Sequence, residues 1–251
     1  MGSGSLLRAF KLVIEYDGTD FFGWQIQPGF RTVQGEIEKA LLTLTGEKIR
    51  VTGGGRTDTG VHALGQTASF SCKSRFDAPV FYKALNGLLP KDIRIRSVEE
   101  TDVGFNARRD AVSRTYRYVI AKRERAVGRK YAWYPRCQWD LDPMKRASEF
   151  LLGKHSWKAF CKVEEAEKKY ESSVLHVRWV ENSEELLFEM TAERFFHHMV
   201  RCIVGTLIEV GKHSLTPEQF QKILENEERH NAGPVVPPWG LFLVSVNYAK
   251  N

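Results

Sequence analysis

GGGRTDTGVHALGQ, Gly53 to Gln66, is the stretch on which the reading of this chain turns. Consecutive glycines allow backbone conformations and close ligand approaches that a Cβ would forbid. Asp58 lies inside this loop, two positions after Arg56. A nearby arginine favours the ionised form of a carboxylate. An ionised carboxylate held beside a sugar can attack the anomeric carbon or take a proton next to it, as carboxylates do in glycosidases. The same residues also fit a plain turn in which Asp58 is the cap and Arg56 solvates it. Phosphate cradling by the glycines is a third option, but the Gly-Lys-Ser/Thr ending of a P-loop is missing.

Working outward, Ile49 to Thr52 reads as a short strand entering the loop, and Ala68, Phe70 and Cys72 alternate as a strand leaving it. Upstream, Ala9 to Tyr16 alternates with Phe10, Leu12 and Ile14 on one side. Thr32 then caps a helix whose apolar stripe is Val33, Ile37, Ala40, Leu41 and Leu44, with Gly46 as its stop. Downstream, Asp77 and Pro79 open a helix that ends at Asn86-Gly87, and Ile93 to Val98 is a strand. A second half begins near Arg108. Ser113 to Ile120 is strand-like, with Tyr116, Tyr118 and Ile120 sharing a face. Arg123 to Lys130 is a basic exposed loop, and Asp142-Pro143 starts a helix reaching Gly153. Val174 to Val180 and Glu185 to Met190 are strands. Phe195 to Val210 reads as a buried helix, Thr216 to Gln219 as a capping-box start, and Gly240 to Tyr248 as a closing strand. Each half follows a strand–helix–strand–helix plan, which fits a duplicated α+β fold. The expected division is 1–5 as an appended linker, 6–107 as the half carrying the Asp58 loop, and 108–251 as the second half.

Bulk properties set the frame. A chain of 251 residues, 42% hydrophobic and 27% charged, can bury a real core. A net charge of +6 permits a polyanionic partner without demanding one. Cys72, Cys137, Cys161 and Cys202 are far apart, which suggests neither a disulfide framework nor a zinc knuckle, and reduced thiols in the cytoplasm are expected. No apolar run is long enough to span a bilayer, so no membrane association is expected.

Two further segments bear on function. FNARRDAVSRTYRY, Phe105 to Tyr118, interleaves Arg108, Arg109, Arg114 and Arg117 with aromatics. Arginine neutralises phosphates and aromatics stack on extruded bases; an edge strand with one solvated charged face accounts for the pattern equally. RFFHHMVRCIVG, Arg194 to Gly205, places Arg201 four residues after His197 and three after His198, on a shared helix side. A cation on an apolar helix needs a partner, either Asp58 or an RNA phosphate, or else it snorkels from the core edge. Adjacent histidines diverge on a helix, so no metal site is expected from them.

In order along the chain, YDGTDFFGWQ (16–25), RTVQGEIEKAL (31–41), GRTDTGVHALGQ (55–66), FNARRDAVSRTYRY (105–118), FHHMVRCIVGTL (196–207) and AGPVVPPWGLFL (232–243) resemble the tRNA pseudouridine synthase A family. The GRTDxGVHA pattern is highly specific to it. The resemblance implies an α+β fold of two pseudo-symmetric halves, with mostly antiparallel sheets flanked by helices and a central basic cleft. It implies a homodimer that isomerises uridine to pseudouridine in tRNA, on the 3′ side of the anticodon loop and its adjoining stem. It makes Asp58 the catalytic aspartate, Arg56 the filler of the space left by the flipped base, and Tyr116 the ring packed on the target uracil. Arg201 becomes the basic residue that pairs with the aspartate, and Leu241 an apolar wall of the base pocket. The reaction oxidises nothing and loses no atoms, so no cofactor is expected. The stretches 122–131 and EEAEKKYESSVLHV, and His213 in GKHSLTPE, depart from the family pattern. A non-catalytic RNA-binding protein and a nucleotide hydrolase are the competing readings; the first has no use for Asp58, and the missing Walker lysine argues against the second.

Overall fold

The structure, a computed structural model, describes residues 7–73, 76–164, 167, 169–227 and 229–249. The expected linker at 1–5 lies outside them. The elements are β1 (Arg8–Tyr16), α1 (Val33–Thr45), β2 (Thr52–Gly53), β3 (His62–Cys72), α2 (Ala78–Leu88), β4 (Ile93–Thr101) and β5 (Ala111–Ala121). They continue with α3 (Leu141–Glu149), β6 (Gly153–Ser156), β7 (Glu171–Glu181), β8 (Glu185–Ala192), α4 (Met199–Gly211), α5 (Pro217–Glu225) and β9 (Leu241–Tyr248). The fold is α+β. Its contacts divide it into two compact units: residues up to Val112 together with those from Leu243 onward, and Ser113–Phe242.

In the first unit the strand order is β4–β1–β3–β9, with β2 on β3. β1 is antiparallel to both β3 and β4. Its inward side chains Phe10, Leu12 and Ile14 are fully buried, as the alternation requires. Phe10 stands opposite Phe70 across the ladder, and α2 lays Phe81 against both rings at 4.7 and 5.3 Å. α1 starts and stops where its end residues dictate. Thr32 accepts a hydrogen bond from Gly35 N–H, and Gly46 takes the left-handed conformation at φ 74°. The strand expected over Ile49–Thr52 is displaced to Thr52–Gly53. The cause is visible in α1: Glu38 accepts Val51 N–H at 2.9 Å and Gln34 donates to the Val51 carbonyl at 3.1 Å, so side chains satisfy that backbone in place of a ladder. The sequence division put 108–251 in one half; by contacts, the strand from Leu243 onward packs with the first unit. Pairing partners are not written into local periodicity.

The second unit carries the order β5–β8–β7–β6, antiparallel throughout. β8 holds Glu189 directly opposite Arg117 of β5 and Arg178 of β7. Both guanidinium Nε atoms donate to it at 2.7 Å. Burial acts to raise this carboxyl, but the hydrogen bonds from both arginines prevail and it lies below its ordinary range. α3, α4 and α5 pack together, burying Met144, Ile203, Leu207 and Phe220. Two helix starts differ from expectation. α3 begins at Leu141, because the capping side chain is Asp140, which accepts Asp142 N–H at 3.0 Å, and it ends at Glu149. α4 begins at Met199 instead of Phe195, because His198 sits in the left-handed region at φ 66° and interrupts the helix before it.

Candidate active site

Gly55 and Thr57, close to Asp58 in the loop, are held by backbone and neutral side chains. β3 supplies Gln66, which is fully buried; its amide donates to the Gly55 carbonyl at 2.8 Å and its oxygen accepts Gly55 N–H at 3.2 Å. One side chain thus satisfies both polar groups of a glycine at the loop entrance. Thr57, next to Asp58, is buried and shares a 2.7 Å hydrogen bond with Tyr16 Oη at the end of β1. Burial drives the Tyr16 phenol well above its ordinary value, against the pull of its hydrogen bonds with Thr57 and Gln66. Trp24 N–H donates to the Thr57 carbonyl at 3.1 Å, and Val61 N–H closes a turn on the Asp58 carbonyl at 3.1 Å. Arg56 is exposed and Asp58 half-buried at the crest of this turn.

The segment YDGTDFFGWQ, which on its own reads only as a loop, is the floor of this turn. Gly23 has φ +80°, and a Cβ there would lie 2.5 Å from the Thr57 carbonyl oxygen and 3.2 Å from the Asp58 carbonyl carbon. Only glycine can pass beneath Asp58 at that height. The loop is held in turn by Arg31, whose guanidinium lies 4.1 Å from the Phe21 ring centre and pairs with Asp92 at 2.7 Å.

In the second unit, Tyr116 lies in β5, buried, with the Phe195 ring edge-on at 4.8 Å. Arg201 lies in the first turn of α4 and is partly buried. Its Nε donates to the Val236 carbonyl at 2.7 Å, so it fixes the AGPVVPPWG segment against the helix. Tyr118 Oη donates to the Pro237 carbonyl at 2.8 Å from the other side. Burial pushes the Tyr118 phenol up, with the Arg201 charge acting in the opposite direction. A Cβ on Gly205 would meet the Pro234 carbonyl oxygen at 1.8 Å, so the same helix needs glycine where the segment crosses it. The segment ends in a short 3₁₀ turn, Pro238–Gly240, which delivers the buried Leu241 as the first residue of β9.

Arg56 and Asp58 therefore share one turn of the first unit, and Arg201 and Leu241 are linked through one anchored segment of the second. The spacing that put Arg201 on a helix side with His197 and His198 does not hold, because both histidines precede α4. Of the arginines read as phosphate contacts, Arg117 is locked on Glu189 and Arg114 donates to the Glu193 carbonyl at 2.8 Å. Arg109 pairs with Asp110 on the exposed turn, and its hydrogen bond lowers that carboxyl. Sequence reading missed Gln66, Tyr16 and Tyr118 as supports. The signal available was a polar residue in a run of buried strand positions.

A family model described as tRNA pseudouridine synthase matches residues 12–110 and 147–249. A "tRNA pseudouridine synthase A" of Caldicellulosiruptor bescii is 42% identical over 96% of this chain and 100% of its own length. Proteins of the same name from Clostridium botulinum, at 41% over 96% of this chain and 100% of its own length, and Syntrophomonas wolfei, at 38% over 98% and 99%, match equally broadly. Shared sequence over the whole length, with the Asp58 turn and the anchored segment inside the matched ranges, leads to one conclusion: this chain belongs to the tRNA pseudouridine synthase family.

Proposed function

We propose that this enzyme, an isomerase by its family, converts uridine to pseudouridine on the 3′ side of the anticodon loop of tRNA and in the adjoining stem, with Asp58 as the catalytic carboxylate. The observation that carries the reading is the way Asp58 is mounted. Its neighbours on both sides are tied down by backbone and neutral hydrogen bonds, so the carboxylate can meet a ribose with little reorganisation. The target nucleotide must first leave the stack, at a cost of a few kcal/mol. Arg56, exposed beside Asp58, offsets part of that by entering the vacated space. Asp58 then acts on the sugar, either by attack at C1′ or by taking a proton at C2′. The bond from C1′ to N1 breaks, the uracil turns, and C1′ bonds to C5. N1 gains a proton and C5 loses one, so the reaction balances without oxidant or reductant. Tyr116 packs against the free uracil, Leu241 walls the base pocket, and Arg201 pairs with Asp58 while holding the segment that leads to Leu241. One tRNA engages a homodimer in the cytoplasm.

The test is to incubate the purified protein with unmodified tRNA transcripts and map pseudouridine by nucleotide. New pseudouridine confined to the 3′ side of the anticodon loop and its stem is the expected result. Conversion only in another arm of the tRNA would contradict the assigned substrate site, and none at all would contradict the activity.

A further inference from the structure

On the first unit, α1 and the turn that follows it border a cleft of about 510 Å³ lined by Gln25, Ile26, Lys39, Leu42, Lys48 and Arg50, with Gln34, Glu38 and Ile49 completing it. None of the Gly53–Gln66 residues lines it. Three cations stand at its rim, all exposed. Among the described residues no ion pair or hydrogen bond engages the side chains of Lys39, Lys48 or Arg50. Glu38, the one acid in the lining, is already used: it accepts Gln34 Nε2 at 2.7 Å and Val51 N–H at 2.9 Å. Both donors are neutral, so Glu38 keeps its charge, and the three cations of the lining outnumber it. The apolar part is open to solvent, with Ile26 45% and Leu42 40% exposed. Elsewhere on the same unit, arginines are paired: Arg8 with Glu100, Arg31 with Asp92, Arg96 with Glu15.

We infer that this cleft is an accessory RNA-docking groove, in which Lys39, Lys48 and Arg50 neutralise backbone phosphates of the substrate while Ile26 and Leu42 contact a ribose or base face. The inference rests on the tRNA reading above and extends it to a surface away from the reacting nucleotide. Three cations without an ion-pair partner, around a solvent-open apolar strip, suit a chain that carries one charge per nucleotide and an apolar face per base. Val51, held by Glu38 and Gln34, leads directly through β2 into the Asp58 loop, so RNA seated here lies against the strand that enters the catalytic turn.

The test is a combined charge reversal, Lys39→Glu, Lys48→Glu and Arg50→Glu, against a control reversal of three exposed lysines elsewhere, Lys83→Glu, Lys91→Glu and Lys145→Glu. Affinity for unmodified tRNA is measured by fluorescence polarisation across a salt series, and pseudouridine formation at low and saturating tRNA. The groove variant is expected to bind roughly tenfold or more weaker, with the slope of log K against log salt reduced by about two to three, while turnover at saturation stays at the parent value. The control variant is expected to change affinity much less. Equal losses in both variants would overturn the groove and leave only overall charge. An unchanged salt slope in the groove variant, with a parent that isomerises tRNA normally, would overturn the groove alone. A parent that neither binds nor isomerises tRNA would overturn the functional reading and the groove with it.

Discussion

The Asp58 turn and the Pro234–Leu241 segment are both irregular, both cross a glycine too closely to admit a Cβ, and both are pinned through their carbonyls, yet the pinning groups differ. The Asp58 turn is held by an amide, a hydroxyl, a phenol and main-chain N–H groups. The second segment is held by a guanidinium and a phenol. The bonds that fix Gly55 and Thr57 beside Asp58 thus come from groups that carry no charge. A charged anchor makes Arg201 a structural support of the segment, so its substitution should disturb the shape of that segment.

The comparison breaks most visibly at the glycine beneath the turn. Gly23→Ala must relieve a contact of 2.5 Å with the Thr57 carbonyl and tolerate φ +80°. Chemical denaturation should show a loss of about 3 kcal/mol, the sum of a left-handed penalty and overpacking. A loss below ~1 kcal/mol would show that the cradle is soft. Next comes Gln66→Ala, which strands both polar groups of Gly55. A loss of about 2 kcal/mol is expected, with turnover falling more than tRNA affinity, because the turn loosens while the binding surface remains. Equal falls in both would mean that Gln66 supports the surface in general. On the charged side, Tyr118→Phe removes one hydrogen bond to the Pro237 carbonyl while Arg201 still holds Val236. It should cost about 1 kcal/mol, and a double variant with Arg201→Lys should cost more than the sum if the two anchors share one segment.

The smallest effect sits outside both loops and sharpens what a buried charge does in this fold. Glu189 is lowered in the folded state, so its clamp adds stability above the ordinary glutamate value of 4.5 and loses it as pH falls through the lowered folded value. Stability measured between pH 7 and 3 should therefore fall less steeply in Glu189→Gln than in the parent over the acid part of that range. Parallel curves would show that Arg117 and Arg178 do not hold the carboxylate in solution.

Much of this was legible in the sequence where one residue decides one feature. Thr32 and Gly46 bound α1, Thr216 opens α5 with a capping box, and alternation places Phe10, Leu12 and Ile14 inward. What stayed hidden depends on partners distant in sequence. Val51 satisfies its backbone on Glu38 and Gln34, which displaces the strand expected over Ile49–Thr52. His198 adopts a left-handed conformation that no helical periodicity announces, and it delays α4. Around Asp58, the glycines marked the turn, but nothing in their spacing reveals that Gln66 spans Gly55 or that Tyr16 reaches Thr57. Motif reading finds the group that reacts more readily than the groups that hold it.

The most direct measurement compares the parent with Asp58→Asn for tritium release from C5-labelled uridine in tRNA, alongside tRNA affinity. The substitution keeps the side-chain shape and removes the charge. Release should drop by roughly a thousandfold or more while affinity is retained. Near-normal release by Asp58→Asn would contradict the role given to this carboxylate and, with it, the meaning assigned to the neutral cradle that presents it.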